Sequence, residues 1–123
     1  MKYLCLAYYD VPTYDALTPE QKSALFPKCK PHDDALRATK KLVVSASLGA
    51  PARTARTRAG KVSINDGPYV ETKEQIGGLF VIEADNFDAA MEVAAKHPAA
   101  RVGEELGWVV EVRPIDRWHE LEP

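Results

Sequence analysis

The segment of residues 2–9 carries apolar side chains on both alternating faces of an extended chain. Successive side chains of a strand point to opposite faces of its sheet, so this segment predicts a strand that is covered on both sides. The apolar run at residues 79–82 predicts a second strand of the same kind. Residues 108–114 predict a third strand, with Trp108, Val110 and Val112 on one face. A chain with such strands needs layers on both faces of its sheet.

Two stretches between the first strands have helical features. Thr18 is followed by a proline and then by Gln21, a pattern typical of a helix N-terminus with a capping box. Pro27 and Pro31 predict that this helix ends early, because proline lacks the N–H that an interior helical position donates. A second helix is therefore predicted at residues 33–41.

The remaining predicted strands and helices complete an order of elements that identifies the fold class. Apolar residues between 87 and 94 recur at helical spacing, and His97 is interpreted as a helix C-terminal residue. Residues 53–58 and 61–64 predict a hairpin, and another strand starts at residue 42. The order β-α-α-β-β-β-β-α-β predicts an α+β fold: a ferredoxin-like antiparallel sheet with helices on one face, an extra helix and an extra hairpin.

The sheet face that the helices leave open must also be covered. Residues 2–9 and 79–82 are apolar on both faces, while the helices of a ferredoxin-like fold cover only one. A second copy of the same sheet is the simplest cover, so the sequence predicts a homodimer.

Length, charge and cysteine content narrow the class of protein. A chain of 123 residues is one domain by size. A formal net charge of -2 argues against nucleic acid as a partner, because nucleic-acid binding needs a basic surface. No apolar run approaches the roughly 20 residues of a membrane span, so no membrane partner is expected. Cys5 and Cys29 do not form the pattern of a disulfide scaffold, which predicts a reducing, cytoplasmic location.

One run of residues resembles a known family. Asp66-Gly67-Pro68-Tyr69, then Glu71-Thr72-Lys73-Glu74, Gly77-Gly78 and later Val110-Glu111-Val112-Arg113-Pro114 resemble the DGPF-type branch of the YCII-related family. The likeness covers residues 1–115 and leaves 116–123 as a C-terminal tail. The resemblance implies a dimeric α/β barrel, in which two ferredoxin-like units pack sheet to sheet with a pocket in each. It also implies small-molecule lyase-type or dehalogenase-type relatives, and a link to sigma factors.

Asp66 is the candidate catalytic residue. Gly67 allows unusual backbone dihedrals and Pro68 restricts its neighbours, so the turn predicts a carboxylate held in a single position. Such a carboxylate could transfer a proton in a pocket. The structural alternative is that Asp66 only opens the turn by accepting backbone N–H groups.

Four charged or polar residues near this turn or on the last strand are candidates for substrate binding: Tyr69, Glu71, Lys73 and Arg113. For Glu71 and Lys73 the alternative is a solvated charge run. For Arg113 it is a salt bridge with Glu111 on one sheet face. Cys29 and His32 have the spacing of a metal-ligand pair, but a single pair does not make a site, so no metal is predicted. The sequence has no cofactor-binding motif, and no cofactor is expected.

Two functions of different kinds follow. The first is a cofactor-independent enzyme for acid–base elimination or isomerisation of a small, anionic organic ligand. Here Asp66 lines the main pocket together with Tyr69 and at least one of Lys73 and Arg113. The second is a non-enzymatic ligand-binding or sigma-factor-associated accessory protein, in which Asp66 is purely structural. The direction in which the Asp66 carboxylate points separates them.

Overall fold

Four antiparallel strands form the main sheet of the computed structural model, which describes residues 1–121. The strands of the chain are β1 (Lys2–Asp10), β2 (Leu42–Ser47), β3 (Arg53–Arg58), β4 (Lys61–Asp66), β5 (Glu74–Glu83) and β6 (Val109–Pro114). The helices are α1 (Val11–Asp15), α2 (Pro19–Ala38), α3 (Phe87–Ala94) and α4 (Pro98–Arg101), followed by a 3-10 turn, Glu104–Leu106. The main sheet has the order β2-β5-β1-β6, and β3 pairs only with β4. This is the predicted α+β fold, a ferredoxin-like sheet with an extra hairpin.

The helix α2 is longer than the sequence predicts. The capping box is present: the Thr18 hydroxyl accepts a hydrogen bond from the Gln21 N–H, and the Gln21 side chain accepts one from the Thr18 N–H. The helix then continues through Pro27 and Pro31 to Ala38, so the prediction of two separate helices was wrong. Both prolines are exposed. Water can therefore hydrate the carbonyl groups that they leave unpaired, and the helix tolerates them.

The core lies between the helices and one face of the main sheet. Tyr3 and Cys5 of β1 stand opposite Ile82 and Phe80 of β5, and all four side chains are buried. Leu36 of α2 joins the same cluster, as do small residues of α3. Burying side chains of this size contributes about 1.5–3 kcal/mol each. Burial also raises the pKa of the Cys5 thiol to about 12, so Cys5 is a neutral core residue.

The other face of the main sheet carries no helix; its centre is apolar, whereas β6 adds the charged residues Glu111 and Arg113 to it. Leu4 of β1 stands opposite Val81 of β5, and the next residue on this face, Leu6, stands opposite Leu79. Towards the sheet edges the side chain of Val109 is 55% exposed and that of Val44 is 46% exposed. This face therefore matches the expectation of an apolar surface that the chain's own helices leave uncovered.

The C-terminal tail passes near one edge of this open face. The Lys2 ammonium lies 5.3 Å from the centre of the Trp118 ring and 2.6 Å from the Glu83 carboxylate. The predicted tail, residues 116–123, is described as far as Leu121, and residues 122 and 123 lie outside the described part. Within residues 1–121, no helix is long and apolar enough to span a membrane.

The hairpin β3–β4 is a separate two-stranded ribbon. Ala59 and Gly60 connect its strands with φ angles of 50° and 77°, as a tight hairpin turn requires. Its register places Ala55 opposite Ile64 on one side, and Val62 and Ile64 are 70% and 68% exposed. A ribbon of two strands with so little buried apolar surface is only marginally stable by itself.

Candidate functional site

A cavity of about 640 Å³ lies between α2, the ends of β1, β2 and β5, and the start of α4. A volume of this size suits a small organic molecule. Its walls combine charged residues of α2, five aromatic side chains, small polar side chains of β2, and the apolar start of α4. The residues that give it chemical character are Tyr8, Tyr9, Tyr14, Lys22, Phe26, Cys29, Asp33, Arg37, Ser45, Ser47, His97 and Trp108.

The wall formed by α2 carries all the charge. Lys22, Cys29, Asp33 and Arg37 lie at helical spacings that bring them to one face of α2. The Lys22 ammonium lies 4.9 Å from the centre of the Tyr14 ring, in a cation–π contact. Asp33 is half-buried, and it is the one carboxylate among the cavity-lining residues of the described chain. The wall therefore combines two cations with one anion.

The aromatic wall depends on a glycine in β5. Ala7 pairs with Gly78 but Tyr8 pairs with Ile76, so the ladder skips Gly77 and forms a bulge. A Cβ atom on Gly77 would lie 2.9 Å from the ring of Tyr9, so only glycine lets that ring lie against the strand. The Tyr9 ring in turn packs edge-on against Tyr14, with centroids 5.7 Å apart. The two glycines, Gly77 and Gly78, thus lie inside β5 and do not interrupt the strand.

A second glycine positions Trp108. A Cβ atom on Gly103 would lie 2.1 Å from the Trp108 Cβ, a distance that no real contact allows. The Gly103 carbonyl also accepts hydrogen bonds from the N–H groups of Leu106 and Trp108, which closes the loop before β6. Trp108 is therefore held at the cavity by the backbone of this loop.

His97 also lines the cavity, and its role differs from the one that the sequence predicts. It is the N-cap of α4 and not a C-terminal residue of α3: its Nδ1 accepts a hydrogen bond of 3.0 Å from the Ala99 N–H. The imidazole stacks on the Phe80 ring, with centroids 4.5 Å apart and an interplanar angle of 5°. Proline favours the first position of a helix, so Pro98 directly after His97 is the sequence pattern from which this N-cap could have been predicted.

Asp33 acts on its two titratable neighbours in the cavity. Burial lowers the pKa of His97 below its usual value, and the Asp33 carboxylate opposes part of this effect. Burial and the Asp33 charge both raise the pKa of the Cys29 thiol. Near neutral pH the cavity therefore holds a neutral imidazole and a protonated thiol beside Asp33.

Asp66 lies elsewhere in the single chain. It is the last residue of β4, and its carboxylate is 3.1 Å from the Arg53 Nε, with the Asp66 side chain 88% exposed. Gly67 has a φ of 97° and donates its N–H to the Ala52 carbonyl, so the turn is closed as expected. Asp66 is not among the residues that line the 640 Å³ cavity, against the expectation for its position. Proton transfer by Asp66 stays a prediction.

The four predicted substrate-binding residues do not line this cavity either. Tyr69 and Glu71 are exposed after the turn, and Lys73 lies 3.9 Å from the Asp10 carboxylate. Arg113 lies 3.2 Å from the Glu111 carboxylate on the open sheet face, the arrangement given as its structural alternative. In one chain these residues are therefore dispersed over two surfaces.

Cys29 and His32 do not converge. Cys29 lines the main cavity, whereas His32 lines a separate depression with Lys96 and Arg101. Within residues 1–121, no group of three or more His, Cys, Asp or Glu side chains is arranged to hold a metal ion.

The geometry defines a small α+β domain with a ferredoxin-like sheet and a ligand-sized cavity beside its long helix. Residues 1–119 match the model of the YCII-related domain, and the chain belongs to the YCII-related family. It is 30% identical over 102 residues to an uncharacterized protein of Rhizobium meliloti (strain 1021), covering 76% of this chain and 77% of that one. Among solved structures it is similar to 5-chloro-2-hydroxyhydroquinone dehydrochlorinase from Burkholderia phenoliruptrix AC1100 in complex with 2,5-dihydroxybenzoquinone. That likeness has a TM-score of 0.47 and 16% identity, over 97% of this chain and 94% of the other.

Proposed function

We propose that this protein is a cofactor-independent enzyme whose small organic substrate binds in the cavity beside α2 and undergoes an acid–base elimination or isomerisation. The observation that carries the proposal is the pairing, inside one ligand-sized cavity, of the half-buried Asp33 carboxylate with a neutral His97 imidazole from another element. One group can remove a proton while the other donates a hydrogen bond to the negative charge that develops.

The charges on the walls favour an anionic ligand. Lys22 and Arg37 outnumber Asp33 along the same face of α2, which leaves the wall with a net positive charge. A small organic anion is attracted by this net charge, and the attraction should weaken as salt is added, because Arg37 is exposed to solvent. The rings of Tyr9, Tyr14 and Trp108 add flat apolar surface, which favours a planar ligand.

Asp33 is the candidate for the base. A carboxylate in a cavity can remove a proton from carbon or oxygen when it lies within hydrogen-bond reach of it. Cys29 is not a nucleophile in this proposal, since its raised pKa keeps the thiol protonated.

Asp66 is the second candidate for the base. Its carboxylate accepts no hydrogen bond from a backbone N–H in the described part of the chain, so the turn alone does not explain it. The motif around it supports assignment to the DGPF-type branch. The substrate-binding set of Tyr69, Glu71, Lys73 and Arg113 belongs to this second candidate.

Deuterium exchange tests the proposal without knowledge of the product. The protein is incubated in D₂O with a panel of small 2-oxo acids and phenols, and exchange of carbon-bound protons is followed by proton NMR. Asp33→Asn should slow catalysed exchange on the order of 10²-fold, with thermal unfolding almost unchanged. Asp66→Asn tests the second candidate, and it should leave exchange as in the wild type if Asp33 is the base.

Each other outcome has a distinct meaning. If Asp66→Asn abolishes exchange and Asp33→Asn does not, Asp66 is the base and the cavity assignment is wrong. If panel members bind to the wild-type protein without exchange or turnover, the chain is a ligand-binding or sigma-factor-associated accessory protein. Native mass spectrometry of the purified protein would then identify the bound ligand.

We also propose a cytoplasmic homodimer that buries the open face of the main sheet. Leu4, Leu6 and Val81 form the centre of this face, and Val44 and Val109 extend it to both edges. Burial of such a face in two copies should exceed the roughly 1,000 Å² expected of a stable interface. Both cysteines are free thiols, which suits a reducing compartment.

Light scattering tests the dimer. Val109→Asp places a charge within the proposed contact and should yield monomers at micromolar concentration. Val62→Asp, on the exposed hairpin, is the control and should stay dimeric. A wild-type protein that is monomeric under these conditions contradicts the proposal.

A further inference from the structure

We infer that His97 donates a hydrogen bond from Nε2 to an oxyanion on the substrate, so that the substrate is a planar molecule with a phenolate or enolate oxygen. This inference rests on the proposed function, since it takes the cavity beside α2 as the substrate site. It assigns His97 as an oxyanion donor and not as the base of the reaction.

The position of His97 is determined by four independent contacts. Its backbone N–H donates a hydrogen bond to the Ala94 carbonyl at the end of α3, and its own carbonyl accepts a hydrogen bond from the Ala100 N–H. Its Nδ1 accepts from the Ala99 N–H, and its ring lies flat on Phe80, which is itself fully buried. A side chain held in this way is positioned before any ligand arrives, as a catalytic donor must be.

The contact with Ala99 also determines which ring nitrogen carries the proton. The Ala99 N–H is a donor, so Nδ1 must present a lone pair to it, and the proton of the neutral ring then lies on Nε2. Protonation of Nδ1 would turn an accepted hydrogen bond into a contact between two donors. Burial lowers the pKa of His97 and favours the same neutral form. His97 therefore donates from Nε2, and a role as base would require the opposite tautomer.

The Nε2 atom is free to meet a ligand. It makes no hydrogen bond to any residue between 1 and 121, and no fully buried side-chain nitrogen or oxygen in that range lacks a partner. An unpaired Nε2 is therefore not fully buried, and His97 is one of the residues that line the cavity. An acceptor on the substrate would complete the hydrogen bonding of the ring.

The remaining walls favour an oxygen anion on a planar framework. Lys22 and Arg37 stabilise negative charge in the cavity, while Tyr9 and Trp108 offer aromatic faces to a flat molecule. Asp33 is the complementary group, because a base is needed to generate the oxyanion.

The chemical step is balanced without a cofactor. The Asp33 carboxylate takes a proton from a carbon next to a carbonyl group, and the C–H electron pair forms a C=C bond. The carbonyl oxygen becomes an enolate oxygen and accepts the His97 Nε2–H, which stays on the ring. In an isomerisation, Asp33 returns its proton to a different carbon. In an elimination, the enolate electrons expel a leaving group with its electron pair, and Asp33 releases its proton to water.

Two variants separate the donor from the structural role of His97. The amide oxygen that His97→Asn introduces can still accept from the Ala99 N–H, because asparagine is among the best N-caps, but the new side chain is too short to reach the Nε2 position. His97→Gln is the matched variant, since the longer side chain reaches the Nε2 position and gives up the cap. Thermal unfolding reports the cap, and ligand binding reports the donor.

The probes are 4-nitrophenol, whose phenol and phenolate forms absorb at different wavelengths, and 4-nitroanisole, which has the same ring and no ionisable oxygen. His97→Asn should weaken phenolate binding roughly tenfold or more, as expected for a lost hydrogen bond to a charged group. Its affinity for 4-nitroanisole should fall much less than its affinity for the phenolate, and its melting temperature should fall only through the lost stacking on Phe80, since the cap is kept. His97→Gln should melt earlier and keep more of the phenolate affinity. Long-range proton–nitrogen NMR of the free wild-type protein should show Nδ1 without a proton and Nε2 with one.

Three results would overturn the inference: a proton on Nδ1, equal phenolate affinity in wild type and His97→Asn, or no binding of 4-nitrophenolate to the wild type. The proposed function fails on a separate measurement, the deuterium exchange of Asp33→Asn. If deuterium exchange depends on Asp33 but phenolate affinity is the same in the wild type and His97→Asn, the proposed function stands and the role of His97 as oxyanion donor is wrong.

Discussion

The hairpin with its Asp66 turn and the cavity beside α2 each place a carboxylate near basic side chains, in opposite physical settings. The Asp66 side chain is 88% exposed and pairs with Arg53 on an exposed ribbon, where water and salt screen the charge. Asp33 is half-buried, and its charge contributes to the pKa shifts of His97 and Cys29. A rigid turn can hold a carboxylate in one position. Partial burial, by reducing screening by water, lets the charge of a carboxylate shift the pKa values of neighbouring groups. Four measurements test this difference between the two regions.

The largest difference is expected in hydrogen exchange. Amides of residues 79–82, in the centre of the main sheet, should exchange only through global unfolding, which costs about 5–15 kcal/mol. Amides of residues 53–64 should exchange orders of magnitude faster, because the ribbon buries little apolar surface. Slower exchange in the ribbon would contradict the view that it is the less stable region.

Phe80→Ala is expected to destabilise the protein by about 3–5 kcal/mol, because Phe80 is fully buried and supports the His97 ring. Ile64→Ala on the hairpin is the control, and it should change the free energy of unfolding by less than about 0.5 kcal/mol. Urea denaturation of both variants makes the comparison. Equal losses would show that a partner covers the hairpin as thoroughly as the helices cover Phe80.

Gly103→Ala should cost about 1–3 kcal/mol, since the new methyl group would overlap Trp108 and force the loop apart. Gly49→Ala is the matched control: no atom lies within 4 Å of its added Cβ, so its stability should stay level or rise slightly. Tryptophan fluorescence during denaturation would also report displacement of Trp108. Unchanged stability of Gly103→Ala would mean that the loop relaxes at no cost.

The smallest effect is a pH dependence from His97. Its pKa is lowered in the folded protein, so between that value and the usual 6.5 the unfolded chain binds more protons. Stability should therefore fall as the pH drops below about 6.5, through the lowered pKa. Denaturation of wild type and His97→Asn at several pH values isolates the effect, because Asp33, the charged group that acts on His97, is present in both. A gain of wild-type stability relative to His97→Asn as the pH falls would show the opposite shift.

Local sequence patterns determined much of this fold. The continuous apolar runs of residues 2–9 and 79–82 marked the central strands, and Thr18 with Gln21 marked the start of α2, because each pattern depends on neighbouring residues alone. The turn at Ala59 and Gly60 likewise followed from local backbone preference. Element order then restricted the topology to the ferredoxin-like sheet.

Tertiary structure decided the length of α2 and the location of the cavity. Whether proline ends a helix depends on what lies around the carbonyl it leaves unpaired, and at Pro27 and Pro31 that is solvent. The cavity joins residues from β1 to β6 that are up to about a hundred positions apart, and His97 belongs to it only because the sheet brings Phe80 beneath its ring. Burial and charge at such a site arise from long-range packing, which no local pattern of residues contains.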